Sequence, residues 1–414
     1  MKKTAMKKNR TFRAKVLKEN AEINLAPNPV TAEVGGGVTI DLDYHGWPTL
    51  HKGLDGTLYA VSSVRKTHVD PYGAIGLTQS FDGGKTWTPY RIIMDTPLDD
   101  RDCSLIDLGG GHLMLWWFSP DASSYIGDRY REFYFRRCAN KEQEVELLKK
   151  MEALEGEDAL GGSFVSHSLD GGKTWSKKAR VPVSSPHGPV LMNDGKTLLA
   201  AGHYYFSERY DGQEWSHNIH LVCSRDGGYT WERFAERPKP KINFGSPCEP
   251  HVLQLRDGTI LLAYRDSRKM SDEVRGGLKT CIARSEDGGK TWTDFERVIN
   301  ANGGPPHLYQ LSDGKVLLTY SCRYAPACGQ RCVISEDGGK TWSNEMVLSV
   351  AKDPFHHDLG YPSSVQLEDG TILTLFYQRL DDDPEAPKTL LYHCSLLLTK
   401  WNLIEEAGWY ETED

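Results

Sequence analysis

The octamer SEDGGKTW at Ser285–Trp292 recurs, with small changes, four more times along the chain. The other copies are Ser80–Trp87 (SFDGGKTW), Ser168–Trp175 (SLDGGKTW), Ser224–Trp231 (SRDGGYTW) and Ser335–Trp342 (SEDGGKTW). Asp-Gly-Gly tolerates positive φ and allows a tight reversal, and Ser and Asp side chains can bond nearby backbone groups. The Trp supplies a large apolar surface. Because the Asp recurs in every copy, we interpret these carboxylates as parts of structural turns, not as acid or metal sites.

A second repeat precedes each octamer and consists of an apolar strand, a turn that usually carries Asp-Gly, and another apolar strand. Its six turns are centred on Asp55, Gly110, Asp194, Asp257, Asp313 and Asp369. In the sixth unit CSLLLTKWNLI, from Cys394, replaces the octamer and keeps only Trp401. Each unit therefore predicts four antiparallel strands. Six such units predict an all-β chain folded as a six-bladed β-propeller with four-stranded antiparallel blades.

The spacing of the units defines the predicted domain limits. Residues 1–40 are expected to be an N-terminal segment leading into the propeller, which occupies residues 41–414. The first and second octamers are unusually far apart, and the excess lies at about residues 120–160. There Asn140 can cap a helix whose apolar residues share one face, which predicts a helical insertion in the second blade. Those apolar residues are Leu147, Leu148, Met151 and Leu154.

Composition excludes several classes of function. The net charge of -8 argues against a nucleic-acid partner, and no apolar run approaches the ~20 residues of a membrane span. The nine Cys lack pair spacing, which favours reduced thiols. The basic N-terminus has no apolar core, so we expect a cytoplasmic protein, or a secreted or periplasmic one if a signal was removed. No cofactor or metal motif is present, and no oligomeric state is predicted.

Topology restricts the candidate site to one face of the propeller. The short turns lie on one face, and the longer loops between second and third strands lie on the other, where variable loops on a rigid scaffold usually carry function. Polar residues at the strand ends of this second face are the candidate site residues. They are His45, Arg101, Asp102, His187, Glu249, His251, Arg265, His307, Arg323 and Tyr361, with Arg65, His68 and Asp70 from the first unit's loop.

The octamer is the Asp box, and over nearly its whole length the chain resembles the sialidase (neuraminidase) superfamily. The resemblance implies an acid/base Asp70 in HVDPYG, and Glu249 and Arg265 in PCEPHVLQLRDGTILLAYR. It also implies a binding Arg331 in GQRCVISEDGG and a nucleophilic Tyr361 in LGYPSSVQL. A retaining exo-glycosidase follows, in which Glu249 is the base for Tyr361 and the arginines bind an acidic group on a terminal sugar.

One departure from the sialidase pattern leaves the substrate open. Sialidases begin the first blade with Arg-Ile-Pro, whereas this chain has Gly46-Trp47-Pro48. An arginine fork matches a carboxylate as glycine cannot. The expected compensations are Arg65, Arg101 or Arg323 as carboxylate ligands, or Trp47 as a stacking surface for a different sugar. His68, Asp102 and His187 complete the predicted binding residues.

Three alternatives to a sialidase remain at this stage. The first is a glycosidase acting on another sugar, which the missing arginine favours. The second is a propeller polysaccharide lyase with a His or Tyr base, for which His68, His187, His251 and His307 are available. The third is a non-catalytic carbohydrate- or protein-binding propeller.

Overall fold

The structure is a computed structural model, and strands dominate the part of the chain that it describes. That part comprises residues 6–22, 30–34, 38–42, 44–66, 68–69, 71, 73–133, 141–203, 219–235, 247–266, 279–299, 303–323, 328–351, 358–379 and 394–411. The first strands are β1 (Met6–Glu22) and the hairpin β2 (Val30–Val34) and β3 (Val38–Leu42).

The remaining strands follow in groups that match the sequence repeats. The first two groups are β4 (Tyr44–Lys52), β5 (Leu58–Arg65), β6 (Ala74–Ser80), β7 (Arg91–Met94), and β8 (Arg101–Asp107), β9 (Leu113–Ser119), β10 (Gly162–Ser168), β11 (Ala179–Val181). The next two are β12 (Val190–Leu191), β13 (Leu198–Gly202), β14 (His220–Ser224), β15 (Glu232–Ala235), and β16 (Pro247–Gln254), β17 (Ile260–Asp266), β18 (Lys279–Ser285), β19 (Glu296–Ile299). The last are β20 (His307–Gln310), β21 (Val316–Cys322), β22 (Gly329–Ser335), β23 (Met346–Val350), and β24 (Leu359–Gln366), β25 (Ile372–Arg379), β26 (Cys394–Glu411).

The architecture is an all-β propeller, but the predicted count of six separate blades is wrong. Four groups form separate four-stranded antiparallel sheets: β8–β11, β12–β15, β16–β19 and β20–β23. The first and last groups instead share one eight-stranded sheet with β1. They are joined because β26 and β4 pair in parallel at Cys394 and Tyr44.

The strand β1 closes the eight-stranded sheet at its junction with the C-terminal strand. It pairs antiparallel with β26 over nearly its whole length. Phe12 is buried in the same apolar cluster as Trp401, and its N–H donates to Asn344 Oδ1 at 3.2 Å. Part of the segment 1–40 that was expected to precede the propeller therefore forms one of its strands.

The octamers form tight turns that their own side chains hold together. Asp82 Oδ1 accepts hydrogen bonds from the N–H groups of Lys85 (3.0 Å) and Thr86 (2.9 Å), while Thr86 Oγ1 donates to Asp82 Oδ2 at 2.6 Å. Gly84, at φ +81°, occupies a backbone conformation that a side chain would strain. The hydrogen bonds from Thr86 hold the pKa of Asp82 well below its usual range. These carboxylates are therefore occupied by turn hydrogen bonds.

The octamer tryptophans pack between neighbouring sheets. Trp231, which follows β14, joins the apolar cluster that includes Trp116 of the preceding sheet, and the two rings meet edge to face at 5.4 Å. Trp175, Trp292 and Trp342 occupy the corresponding positions in three other clusters. Burial of such rings stabilises each sheet against the next, which fixes the strand ends that carry the site.

Among the residues described between β9 and β10 there are three α-helices: α1 (Ser123–Ile126), α2 (Asp128–Phe133) and α3 (Lys141–Glu152). Tyr125, Tyr130, Leu148 and Met151 are buried together against Leu98. Asn140, the predicted helix cap, lies outside the described residues. Among the described helices, none is both long and apolar enough to cross a membrane.

Candidate active site

Four side chains are aimed by the same unusual backbone conformation. Trp47, Asp102, Glu249 and Tyr361 are the non-glycine residues with positive φ in the described chain, with values of 49°, 52°, 51° and 54°. Each lies at a bulge in the first strand of its group, β4, β8, β16 or β24. Such backbone strain costs about 1–3 kcal/mol per residue and concentrates at functional sites. A bulge also redirects a side chain.

Tyr361 and Glu249 are joined directly. The Tyr361 hydroxyl donates a hydrogen bond to Glu249 Oε1, and Arg265 Nη1 pairs with Glu249 Oε2 at 2.9 Å. Tyr361 is only 6% exposed, and burial, followed by the charges of Glu249 and Asp102, raises its pKa well above the usual value. The phenol is therefore neutral at rest, with a carboxylate in place to accept its proton.

Two arginines lie beside this pair. The guanidinium of Arg323 lies 5.9 Å from the Tyr361 ring centre, and its Nη2 donates to the Tyr377 hydroxyl at 3.3 Å. Burial alone would lower the pKa of Arg265, but the Glu249 carboxylate raises it above its usual value. Burial would lower the pKa of Arg323 as well, but the nearby Tyr377 raises it above its usual value. Both groups are therefore cations that can bind an anionic group of a ligand.

Asp102 brings a second carboxyl group close to Glu249. Burial raises its pKa to about 6, an effect that Arg101 opposes and Glu249 reinforces. Its Oδ1 is buried and accepts no hydrogen bond from the described residues. An uncompensated buried oxygen is costly, so this atom is available to a ligand hydroxyl or a water.

Trp47 does not offer the stacking surface that the sequence suggested. The ring is 4% exposed, because the guanidinium of Arg65 lies 4.5 Å and that of Arg101 5.8 Å from its centre. Arg65 itself is fully buried and pairs with Asp99, which excludes it as the compensating substrate ligand. Arg101, 3.3 Å from Asp99 through Nε, keeps a side chain that is 19% exposed.

His187 also differs from the expectation of a substrate ligand. It is 3% exposed and packs against His251 at 5.1 Å and Tyr361 at 6.1 Å between ring centres. His251 and His307 stack at 4.6 Å. Burial lowers the pKa of His187 and His251 well below the usual value and that of His307 to about 3. These imidazoles are neutral and form the floor beneath Tyr361.

Two further predicted residues have different outcomes. Arg331 is 3% exposed, with Nη1 donating to Ser349 O at 2.8 Å and Nε 3.6 Å from Glu345. These contacts hold it within its own sheet, and Arg323 is the arginine of that sheet that lies beside Tyr361. Asp70 lies outside the described residues.

The sequence analysis predicted His68 at the rim of the site but missed the two partners that hold it, Tyr44 and Asp358. His68 Nδ1 lies 3.0 Å from Asp358 Oδ1 and 2.8 Å from the Tyr44 hydroxyl, and the His68 ring meets Trp47 at 5.2 Å. Tyr377 was missed as well, although strand register could have indicated it. Tyr377 pairs with Gly360 as Arg265 pairs with Cys248, so the two residues occupy equivalent positions. Asp358 immediately precedes β24 and carries no such pattern.

No set of three or more His, Cys, Asp or Glu side chains among the described residues is arranged to hold a metal ion.

The propeller and its tyrosine–carboxylate–arginine site define the class of protein, a β-propeller of the sialidase superfamily. The model of the BNR repeat-like domain matches residues 143–374, which is more than half of the chain. The chain belongs to this family, and the resemblance drawn from the sequence is confirmed.

Comparison with known proteins gives one curated relative and three solved structures of particular interest. A sialidase of Bacteroides fragilis (strain YCH46) is 26% identical over 378 residues, covering 78% of this chain and 57% of that sialidase. The chain thus spans just over half the length of this relative. A protein of unknown function from Dyadobacter fermentans DSM 18053 has a TM-score of 0.67 at 22% identity, covering 94% of this chain and 99% of that one.

Two further structures carry named activities. A sialidase from Streptococcus pneumoniae has a TM-score of 0.62 at 16% identity, covering 91% of this chain and 71% of that one. An α-L-arabinofuranosidase of Fusarium graminearum, complexed with arabinobiose, has a TM-score of 0.56 at 13% identity, covering 92% of this chain and 97% of that one. At these identities the likeness establishes the fold alone.

Proposed function

We propose that this protein is a retaining exo-glycoside hydrolase of the sialidase type that removes a terminal sugar carrying an acidic group. The observation that carries the proposal is the hydrogen bond from the Tyr361 hydroxyl to Glu249, whose other oxygen pairs with Arg265.

In the first step Tyr361 Oη attacks the anomeric carbon and passes its proton to Glu249. The glycosidic C–O bond breaks, and its electron pair leaves on the departing oxygen, which takes a proton from a group of the loop after β5, where Asp70 lies. Water then attacks the anomeric carbon, its proton returns to that loop group, and Tyr361 recovers its proton from Glu249. A neutral nucleophile avoids repulsion from an anionic sugar.

The acidic group of the sugar would lie between Arg265 and Arg323. Both guanidinium groups are charged and lie beside Tyr361, and an arginine fork binds a carboxylate through two hydrogen bonds. Arg323 takes the role that the sequence assigned to Arg331. Asp102 Oδ1, which lacks a described partner, would accept a hydrogen bond from a sugar hydroxyl.

A glycosidase acting on a different sugar is the second candidate. Gly46 stands where sialidases have an arginine, and the neighbouring Trp47 is buried beneath Arg65. Two arginines therefore remain where the sialidase pattern has three. The arabinofuranosidase of similar fold was solved with arabinobiose, a neutral sugar, which supports this second candidate.

A screen of 4-nitrophenyl glycosides tests the proposal and separates the candidates. The panel contains an α-sialoside, an α-L-arabinofuranoside, an α-L-rhamnoside and a β-D-glucuronide. Release of nitrophenol from the sialoside or the uronide, abolished in Tyr361→Phe, supports the acidic-sugar proposal. Turnover of the arabinofuranoside or rhamnoside alone supports the second candidate. If the wild-type protein releases nitrophenol from none of them, the hydrolase proposal fails.

A further inference from the structure

We propose that His68, held by Asp358 and Tyr44, is the group that exchanges a proton with the glycosidic oxygen. The assignment rests on the proposed function and specifies which residue of the loop after β5 performs the transfer. It differs from the resemblance to sialidases, which points to Asp70.

Three segments that are distant in sequence build the cluster. His68 follows β5, Asp358 immediately precedes β24, and Tyr44 is the first residue of β4. His68 Nδ1 lies 3.0 Å from Asp358 Oδ1 and 2.8 Å from the Tyr44 hydroxyl. The Tyr44 hydroxyl lies 3.1 Å from each oxygen of Asp358. These contacts engage one nitrogen of the ring and fix its orientation.

The other nitrogen, Nε2, is the one left for proton exchange. No hydrogen bond to it is made by the described residues, and the His68 side chain is 36% exposed while that of Asp358 is 14% exposed. The imidazole is thus partly open to solvent, while the carboxylate that holds it is sheltered. In proteins, a carboxylate behind one ring nitrogen sets the tautomer and supports the charged ring while the opposite nitrogen handles the proton.

The position of the ring relative to the nucleophile fits this role. His68 meets the Trp47 ring at 5.2 Å, and Trp47 meets the Tyr361 ring at 6.5 Å. Trp47 therefore separates the imidazole from the phenol. A sugar whose anomeric carbon lies against the Tyr361 hydroxyl would direct its leaving oxygen toward His68.

The proton balance closes with these residues alone. Protonated His68 gives the Nε2 proton to the leaving oxygen as the glycosidic bond breaks and Tyr361 bonds to the anomeric carbon. Neutral His68 then takes a proton from the water that displaces Tyr361, and the starting state returns. Asp358 and Tyr44 face His68 directly. Tyr377, which bonds to Asp358, and Arg323, which bonds to Tyr377, stand behind them.

Leaving-group dependence tests the assignment, because a good leaving group needs no proton. The measurement is kcat/KM for 2,4-dinitrophenyl and 4-methoxyphenyl glycosides of the sugar that the screen identifies. For His68→Gln we expect a loss of about 10²–10³-fold with the methoxyphenyl glycoside and under about tenfold with the dinitrophenyl glycoside. Asp358→Asn, which removes a positioning residue, should show the same pattern with a smaller loss. His112→Gln, on the opposite face, is the matched control and should change neither value.

The outcomes separate this assignment from the proposed function. If Asp70→Asn shows the leaving-group pattern and His68→Gln does not, the transfer belongs to Asp70 and the His68 assignment is overturned while the hydrolase stands. Equal losses on both glycosides in His68→Gln, with an unchanged melting temperature, also overturn it. Absence of wild-type turnover on every glycoside overturns the hydrolase itself.

Discussion

The Tyr361 hydroxyl donates a hydrogen bond to Glu249, although the two residues lie 112 positions apart and belong to different sheets. Both are placed by a bulge of positive φ in the first strand of their group. The packing of the sheets thus brings together a phenol and a carboxylate that are far apart in the sequence. This pair is the centre of the proposed chemistry.

Removal of either partner should abolish turnover while the fold persists. Tyr361→Phe deletes the attacking oxygen, and Glu249→Gln deletes the proton acceptor. Each is expected to lower kcat by at least about 10³-fold, as the loss of a nucleophile or its base does in other enzymes. Steady-state kinetics with the identified nitrophenyl glycoside provide the measurement.

Tyr229→Phe is the matched control for the nucleophile variant, because Tyr229 is exposed in an octamer turn. It should retain wild-type kcat. Wild-type turnover by Tyr361→Phe would remove this tyrosine from the mechanism.

Arg323 and Arg331 should separate binding from stability. Loss of a charged hydrogen bond costs about 1.5–3 kcal/mol, so Arg323→Gln should raise KM for an acidic sugar by about 10–100-fold. Arg331 contacts Ser349 and Glu345 in its own sheet. Arg331→Gln should therefore lower the melting temperature and leave KM unchanged. The reverse result, with KM raised only in Arg331→Gln, would restore the assignment that the sequence suggested.

Sequence repeats predicted most of the fold but not its closure. Octamers such as Ser80–Trp87 carry local turn chemistry, so each unit can be recognised alone. The pairing of β1 with β26 joins Phe12 to Glu405, and the single bridge between Cys394 and Tyr44 merges two groups. Neither contact leaves a local pattern, because each depends on where the two ends of the chain meet.

The same distinction applies to the site. Glu249 and Tyr361 were predicted from their position at the start of a first strand and from the resemblance to sialidases, and both lie at a bulge there. Arg331 was predicted as the main ligand and Arg323 only as a compensating one, because the arginine that lies beside Tyr361 is set by tertiary packing. Asp358 was missed because its position beside His68 is set by tertiary packing alone.

Stability should fall on acidification below about pH 6.5. Histidines with lowered pKa are neutral in the folded state and take up protons on unfolding. The unfolded state is therefore stabilised relative to the folded state as the pH falls from 6.5 toward 4. Asp100 and Asp102, with pKa raised by burial to about 6, act in the opposite direction. The histidines with a lowered pKa outnumber these aspartates, so the effect of the histidines prevails. The histidines include His51, His167, His187, His251 and His307.

Urea denaturation between pH 4 and pH 8 measures this dependence. Each buried histidine contributes a slope of up to about 1.4 kcal/mol per pH unit within that window. His51→Gln should reduce the slope even if it lowers the overall free energy of unfolding. A free energy of unfolding that rises on acidification would contradict the neutral burial of these rings.

An octamer aspartate should affect stability and not turnover. Asp337 accepts hydrogen bonds from the N–H groups of Lys340 and Thr341 and from the Ser335 hydroxyl. Asp337→Ala removes all of these, so a lower melting temperature is expected with kcat/KM unchanged. A selective loss of turnover with an unchanged melting temperature would show that this carboxylate has a role beyond its turn.

Trapping the covalent intermediate tests the central claim most directly. The protein is incubated with a fluorinated, activated analogue of the sugar that the screen identifies, digested, and its peptides are examined by mass spectrometry. The expected result is a glycosyl adduct on Tyr361 in the wild-type protein and a strongly reduced yield in Glu249→Gln. An adduct on Asp102 or Glu249, with Tyr361 unmodified, would contradict the account.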